Sequence, residues 1–173
     1  SDVYKRQEWK EYRIECQKKQ SADCRVLVCG GTGCLASGSG KIYEKLKELT
    51  KDHTGVEVKI GEEIAHTKVM KSGCHGFCEM GPLVRIEPYN YLYIKVKLED
   101  CEEIYNETIL GGRPVERLLY KMDGVTYPSQ EEIPFYAKQT RLVLKNCGHI
   151  DAEHIGGALA VGAYAGIEKA LFE

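Results

Sequence analysis

Short apolar runs that end in glycine loops set the rhythm of this chain. Residues 25–28 (Arg-Val-Leu-Val) predict a strand that leads directly into Cys29. Ser37 or Ser39 is placed to cap a following helix, whose Ile42, Leu46 and Leu49 recur at i, i+4 and i+7. Val56, Val58 and Ile60 alternate, and residues 67–70 offer a second short run, so two strand candidates feed the loop that holds Cys74. Residues 84–87 and 92–98 alternate across a turn at residues 88–90, the pattern of an antiparallel hairpin. Asp100 then opens a helix with Ile104, Tyr105 and Ile109 on one face, closed by Gly111 and Gly112. Strand, helix, strand, hairpin and helix in this order predict a small α/β sandwich of thioredoxin type, with both cysteine loops at one end.

The flanks are less regular. Residues 8–20 are charged, with Trp9, Tyr12 and Ile14 as the large apolar groups, and read as a loose helix. Between residues 111 and 134, Pro114, Gly124, Pro128 and Pro134 interrupt any helix, so this stretch reads as a linker with a short segment at 115–120. A second unit begins near Phe135, with a turn at Asn146-Cys147-Gly148, Asp151 as the N-cap of one helix and residues 164–172 as another. The glycine- and alanine-rich stretch 155–167 is too short to span a bilayer and predicts closely packed helices. The expected divisions are therefore an N-terminal extension (1–23), a compact α/β domain (24–110), a linker (111–134) and the incomplete start of a further domain (135–173). The opening Ser-Asp-Val-Tyr-Lys-Arg-Gln reads as foreign to the gene, and the chain stops inside a helical pattern, so a fragment of a longer protein is expected.

The chemistry lies in two cysteine pairs, Cys29/Cys34 within CGGTGC and Cys74/Cys78 within GCHGFC. An iron–sulfur cluster takes four thiolates and is anionic, so its loops need backbone N–H donors and little steric bulk. Gly30, Gly31, Gly33, Gly73 and Gly76 supply both. Structural zinc takes the same four ligands, but its knuckles come as Cys-x2–4-Cys on both arms, and here the arms are x4 and x3. A disulfide framework stays open on an even count of 8 cysteines, although that share is low for a stapled secreted chain. A thioredoxin-type redox pair needs Cys-x-x-Cys, which is absent.

Charge narrows the field. With 24 basic and 26 acidic residues the net charge of −2 leaves no electrostatic footprint for nucleic acid or an anionic membrane. The polar N-terminus lacks the apolar core of a signal peptide, and the cytoplasm, where thiols stay reduced, is the expected compartment.

Four blocks, CGGTGCLASGSG, SGCHGFCEMGPLVRIEP, GGRPVERLLY and IPFYAKQTRLVLKNCGHID, together resemble the N-terminal part of the NADH-binding flavoprotein subunit of complex I-type enzymes. The form it resembles is the one fused to an N-terminal thioredoxin-like [2Fe–2S] ferredoxin domain, as in the beta subunit of NAD(P)-linked, electron-bifurcating [FeFe] hydrogenases. The resemblance runs from about Arg25 to Phe172 and implies that Cys29, Cys34, Cys74 and Cys78 ligate a [2Fe–2S] cluster. It also implies FMN, NAD(P) and a [4Fe–4S] cluster in the intact protein, bound downstream of the present chain. The implied partners are other subunits of a hydrogenase or NADH dehydrogenase complex, with a ferredoxin among the possible electron partners.

The function expected is an electron-transfer module of an NAD(P)H-dependent oxidoreductase. The intact protein would be the enzyme, and this fragment carries no catalytic residue of its own. The competing reading is a zinc-stabilised thioredoxin-like interaction module without a redox role. Outside the two pairs, Cys101 reads as a buried inert thiol, Cys24 as a spare ligand at most, and Cys147 as structural. Cys16 is uninformative. His75 is either a donor to a cluster sulfur or an exposed loop residue, whereas His53, His66, His149 and His154 show no ligand spacing.

Overall fold

The computed structural model describes residues 2–22, 24–51, 58–60, 63–65 and 67–172, so the expectations for Val56, His53 and His66 lie outside the described residues. After a long N-terminal helix α1 (Asp2–Ala22), strand β1 (Cys24–Cys29) runs into a one-turn helix α2 (Thr32–Ala36) and then α3 (Ser39–Lys51). Two three-residue strands, β2 (Val58–Ile60) and β3 (Glu63–Ala65), pair with each other in a separate antiparallel ribbon. The strand expected at 56–60 therefore does not enter the main sheet. That sheet has four strands in the order β4-β1-β5-β6, with β4 (Thr67–Ser72), β5 (Val84–Glu87) and β6 (Tyr91–Tyr93). β4 lies parallel to β1, which requires a crossover, and α3 forms part of it. β5 and β6 are antiparallel and turn at Asn90, whose φ of 60° suits a residue that tolerates the left-handed region.

Neither serine offered as a cap serves α3. Ser37 donates its hydroxyl to the Gly33 carbonyl at 3.0 Å, and Ser39 is buried within the first turn. The helix opened near Asp100 is present, but changes pitch. α4 (Cys101–Glu103) continues as a π-helix, Ile104–Leu110, which keeps Ile104, Tyr105 and Ile109 buried. Alternation along the strands separates two cores. Val26, Val28, Val84, Ile86 and Tyr93 face α3 and the π-helix with Ile42, Leu46 and Ile104, whereas Cys29, Leu83 and Leu92 face the other side.

The stretch read as a linker contributes to both cores. Val115, Leu118 and Leu119 are buried in the first, and Ile133 is fully buried in the second. Residues 111–134 also form a hairpin of β7 (Tyr120–Met122) and β8 (Val125–Tyr127) and a capping box in which Ser129 and Glu132 serve each other. The downstream chain covers both sheet edges. The Leu92 amide donates to Pro128 O at 2.8 Å and the Ile94 amide to Leu118 O at 2.9 Å, while on the far edge the Ala152 amide donates to Lys71 O at 2.9 Å. Edge strands left bare are templates for aggregation, so these contacts complete the sheet.

Beyond this lie α5 (Pro134–Ala137), α6 (Ile155–Ala160) and α7 (Ala165–Phe172). Asp151 does not cap α6. It stands four residues ahead, where its carboxylate accepts from the Glu153 amide at 2.8 Å and pairs with His154 at 2.7 Å, and His154 occupies the cap position. α6 packs on α1, with Gly156 beside Cys16, so the glycine does permit a close helix approach. Glu168 of α7 is met by Arg6, Lys10 and Arg13, one face of α1. Among the described residues no helix is long and apolar enough to cross a membrane.

Candidate metal centre

The two cysteine loops leave the sheet side by side, because Cys29 and Ser72 are register partners at the carboxyl ends of parallel β1 and β4. The Gly30 amide donates to Ser72 O at 3.0 Å, which pins the start of one loop to the start of the other. Cys34 then falls inside α2 and is fully buried, as is Cys29. Cys78 opens a 3₁₀ turn, Cys78–Met80, and both it and Cys74 are exposed.

Glycines allow the loops to interlock. A Cβ on Gly31 would stand 3.1 Å from Cys74 Sγ, and one on Gly33 would stand 3.3 Å from Cys78 Cβ. From the other loop, a Cβ on Gly81 would stand 2.6 Å from Cys34 Sγ. The Gly76 amide donates to Cys74 Sγ at 3.3 Å, and Cys74 Sγ lies 3.9 Å from Cys78 Sγ. All four thiols are free, which closes the disulfide reading for these cysteines. Burial, and then the neighbouring Cys29, push the Cys34 thiol up to about 12. A bound metal reverses that preference, because its positive charge deprotonates a coordinating thiol outright. The cysteines stand as two pairs, and among the described residues no three Cys, His, Asp or Glu side chains form a site for a single metal ion. An all-sulfur donor set in two pairs, relieved of side-chain bulk by glycine, fits a di-iron core that takes two thiolates at each iron.

The stretch 12–108 matches the family described as thioredoxin-like [2Fe-2S] ferredoxin. The chain belongs to this family. A 2Fe-2S ferredoxin of Aquifex aeolicus (strain VF5) is 32% identical over 87 residues, which is 50% of this chain and 71% of that protein. A 2Fe-2S ferredoxin of Clostridium pasteurianum is 30% identical over 95 residues, 54% of this chain and 91% of the other. The crystal structure of the thioredoxin-like [2Fe-2S] ferredoxin from Aquifex aeolicus superposes with a TM-score of 0.48 at 29% identity, covering 58% of this chain and 98% of that one. As a thioredoxin-like ferredoxin the chain is a [2Fe–2S] electron-transfer protein, and the family span begins within α1, a helix first read as an extension.

The remaining candidates separate cleanly. Cys101 is fully buried and burial pushes its thiol up to about 11, as expected of an inert core cysteine. Cys24 is buried in the first core, on the face away from Cys29, and is no spare ligand. Cys147 is nearer than its sequence position implies, with its Sγ 3.6 Å from where a Cβ of Gly73 would stand.

His75 fits neither expectation. It is fully buried, and its ring lies 2.9 Å from Ser72 Oγ through Nε2 and 2.9 Å from Gln130 Oε1 through Nδ1. With an amide oxygen facing it, Nδ1 carries the proton and Nε2 accepts from the serine, so no ring N–H is left for a sulfur. Burial holds its pKa down to about 4, so the ring is neutral at ordinary pH. Sequence reasoning missed Ser72, three residues away, and Gln130 and Tyr136, which hold this histidine from 55 and 61 residues downstream. The Ser129/Glu132 capping box was the one local signal that the segment is ordered.

Proposed function

We propose that Cys29, Cys34, Cys74 and Cys78 ligate the [2Fe–2S] cluster and that this chain is the electron-transfer module of an NAD(P)H-dependent oxidoreductase, of the hydrogenase diaphorase or NADH dehydrogenase type. The observation that carries the ligand set is the interlock itself: glycines of each loop make room for cysteines of the other. When bound, such a cluster takes and gives one electron at a time, whereas a nicotinamide delivers two as hydride, so a flavin must stand between them. The chain supplies the rest of what the site needs. Cys29 and Cys34 anchor it in the second core beside Leu83, Phe77 and Ile133, which exclude water. Cys74 and Cys78 form its exposed side, the one open to an electron partner, and the Gly76 amide offsets anionic charge there. The nicotinamide-linked context rests on the resemblance of 111–120 and 133–151 to the flavoprotein subunit. FMN, NAD(P) and [4Fe–4S] belong in this reading to the intact polypeptide.

Anaerobically purified protein should be reddish-brown, bleach with dithionite and give a rhombic EPR signal on reduction. Cys29→Ser and Cys78→Ser should lose or strongly perturb that signal, and Cys101→Ser should not. A colourless protein holding one zinc per chain would overturn the cluster reading in favour of a zinc-stabilised module. Equal damage from all three substitutions would mean the ligands are assigned wrongly.

A further inference from the structure

The loop that carries Cys74 and Cys78 is gripped along its length by residues that lie beyond the family's span of 12–108. At its start, Gly73 abuts Cys147. At its centre, His75 is held at three points: Gln130 Oε1 accepts from its Nδ1 at 2.9 Å, the Tyr136 hydroxyl donates to its carbonyl at 3.0 Å, and Gly148 lies against its ring. A Cβ on Gly148 would stand 2.7 Å from Nδ1, so the chain passes there only because it has no side chain. At its end, Phe77 stacks on Phe135 with centroids 4.8 Å apart and meets Tyr136 edge-on at 5.5 Å.

The gripping segment is itself anchored. Glu131 pairs at 2.9 Å with Arg85, which is buried on β5 and also holds Glu87 and Asn90. Gln130 is buried, Ile133 is fully buried, and Ser129 bridges to Tyr91 at the sheet edge. Alternate side chains of one short turn thus point to the sheet and to the ligand loop. The ring of His75 fills the place between two ligands, with its Nδ1 and its carbonyl held by Gln130 and Tyr136 and its Nε2 by Ser72 at the end of β4. Losing a hydrogen bond that orients a metal ligand typically costs about ten- to a hundredfold in metal affinity or activity.

We propose that residues 129–148 brace the ligand loop, with Gln130 and Tyr136 as positioning residues that set the Cys74–Cys78 turn through His75 and so govern how tightly the cluster is held. This rests on the ligand assignment above. Tyr136→Phe removes the donor to the His75 carbonyl while keeping the ring that packs on Phe77. Gln130→Met removes the acceptor for Nδ1–H at nearly constant volume.

The test compares iron release from the full chain to a ferrous chelator, together with the EPR spectrum of the dithionite-reduced protein. Both variants should release iron about ten- to a hundredfold faster than wild type, with shifted g values, in line with the loss of groups that orient ligands. Gly148→Ala, which presses on the ring from the other side, should do the same and serves if either variant fails to fold. Thr108→Val breaks a buried hydrogen bond in the first core and is the control. It should lower unfolding stability while leaving release and spectrum unchanged. The brace is overturned if Tyr136→Phe and Gln130→Met match wild type in both readouts, or if Thr108→Val speeds release as much as they do. Wild type that is colourless and iron-free sinks the ligand reading along with it, whereas iron-loaded wild type with indifferent variants sinks only the brace.

Discussion

Replacing Tyr93 by Phe tests whether the chain beyond residue 110 is part of the folded unit. Tyr93 is fully buried on β6, and its hydroxyl lies 2.5 Å from Thr108 Oγ1. Thr108 donates its one proton to Arg113 O at 2.9 Å, so the tyrosine must donate to the threonine. The tyrosine oxygen in turn accepts from the Val115 amide at 3.0 Å. Three groups on two elements and a connecting segment are thus satisfied in series. Tyr93→Phe removes two hydrogen bonds, each worth about 1 kcal/mol net, and leaves the Val115 N–H buried without a partner, a penalty of about 1–3 kcal/mol. The added apolarity of the ring offsets part of this, so the expected loss is about 2–3 kcal/mol. Equilibrium urea unfolding followed by far-UV circular dichroism reads the loss as a lowered midpoint at unchanged slope. Amide exchange supplies the local signature, since Val115 should exchange faster by roughly 30- to 160-fold, the same free energy expressed as a ratio. A loss under about 0.5 kcal/mol, within the range of an ordinary surface change, would refute the reasoning. So would a Val115 amide that exchanges as in wild type.

Gly81→Ala should impair the metal centre more than the fold, because its Cβ would stand 2.6 Å from Cys34 Sγ and 3.2 Å from Cys78 O. Iron content per chain should fall while the far-UV spectrum persists, and full iron content would show that the loops have more room than the structure gives them. His149 supplies a pH prediction: burial, and then the charge of Arg85, hold its pKa below the ordinary 6.5, with Arg141 acting the same way and Glu131 and Glu87 opposing. Its folded-state pKa is depressed, so the unfolded chain binds the proton more readily, and its contribution is full above about pH 6.5 and fades as pH falls. Unfolding midpoints of wild type should therefore drop more steeply from pH 7.5 to pH 5.5 than those of His149→Gln. Parallel curves would remove His149 from the account.

The family fold was legible because local pattern and tertiary role agree there. The apolar run that includes Val26 and Val28 on β1, and the alternation of Val84 and Ile86 on β5, predicted strands whose valines and isoleucine do face one core, and Ile42 and Leu46 cover it. The two cysteine pairs drew attention in the sequence because glycines flank them, and the structure gives those glycines a steric place, Gly31 against Cys74 and Gly33 against Cys78 of the opposite loop. Helix caps were less so. Ser37, Ser39 and Asp151 are all good capping residues, yet Ser37 bonds backward to Gly33, Ser39 is buried and Asp151 serves a turn ahead of α6. A capping residue can satisfy itself in several local ways, and only the path of the chain decides among them.

The region from 111 to 134 exposes the deeper reason why sequence pattern falls short. Proline and glycine interrupt it so often that no periodicity survives, and periodicity is the signal by which a buried face is recognised. A segment that lies along a sheet edge needs no periodicity, because it contributes side chains one at a time. Leu118 and Leu119 enter one core, Ile133 enters the other, and Pro128 offers a carbonyl to Leu92. Gln130 and Glu131 are adjacent in sequence yet serve His75 and Arg85, which lie on different elements. Each contact is specified by its partner, and the partners of Gln130, Glu131 and Tyr136 lie 55, 46 and 61 residues earlier in the chain. The same property makes the segment suited to bracing a cysteine loop. Irregular chain can aim successive side chains in unrelated directions, whereas a helix or strand would commit them to one face.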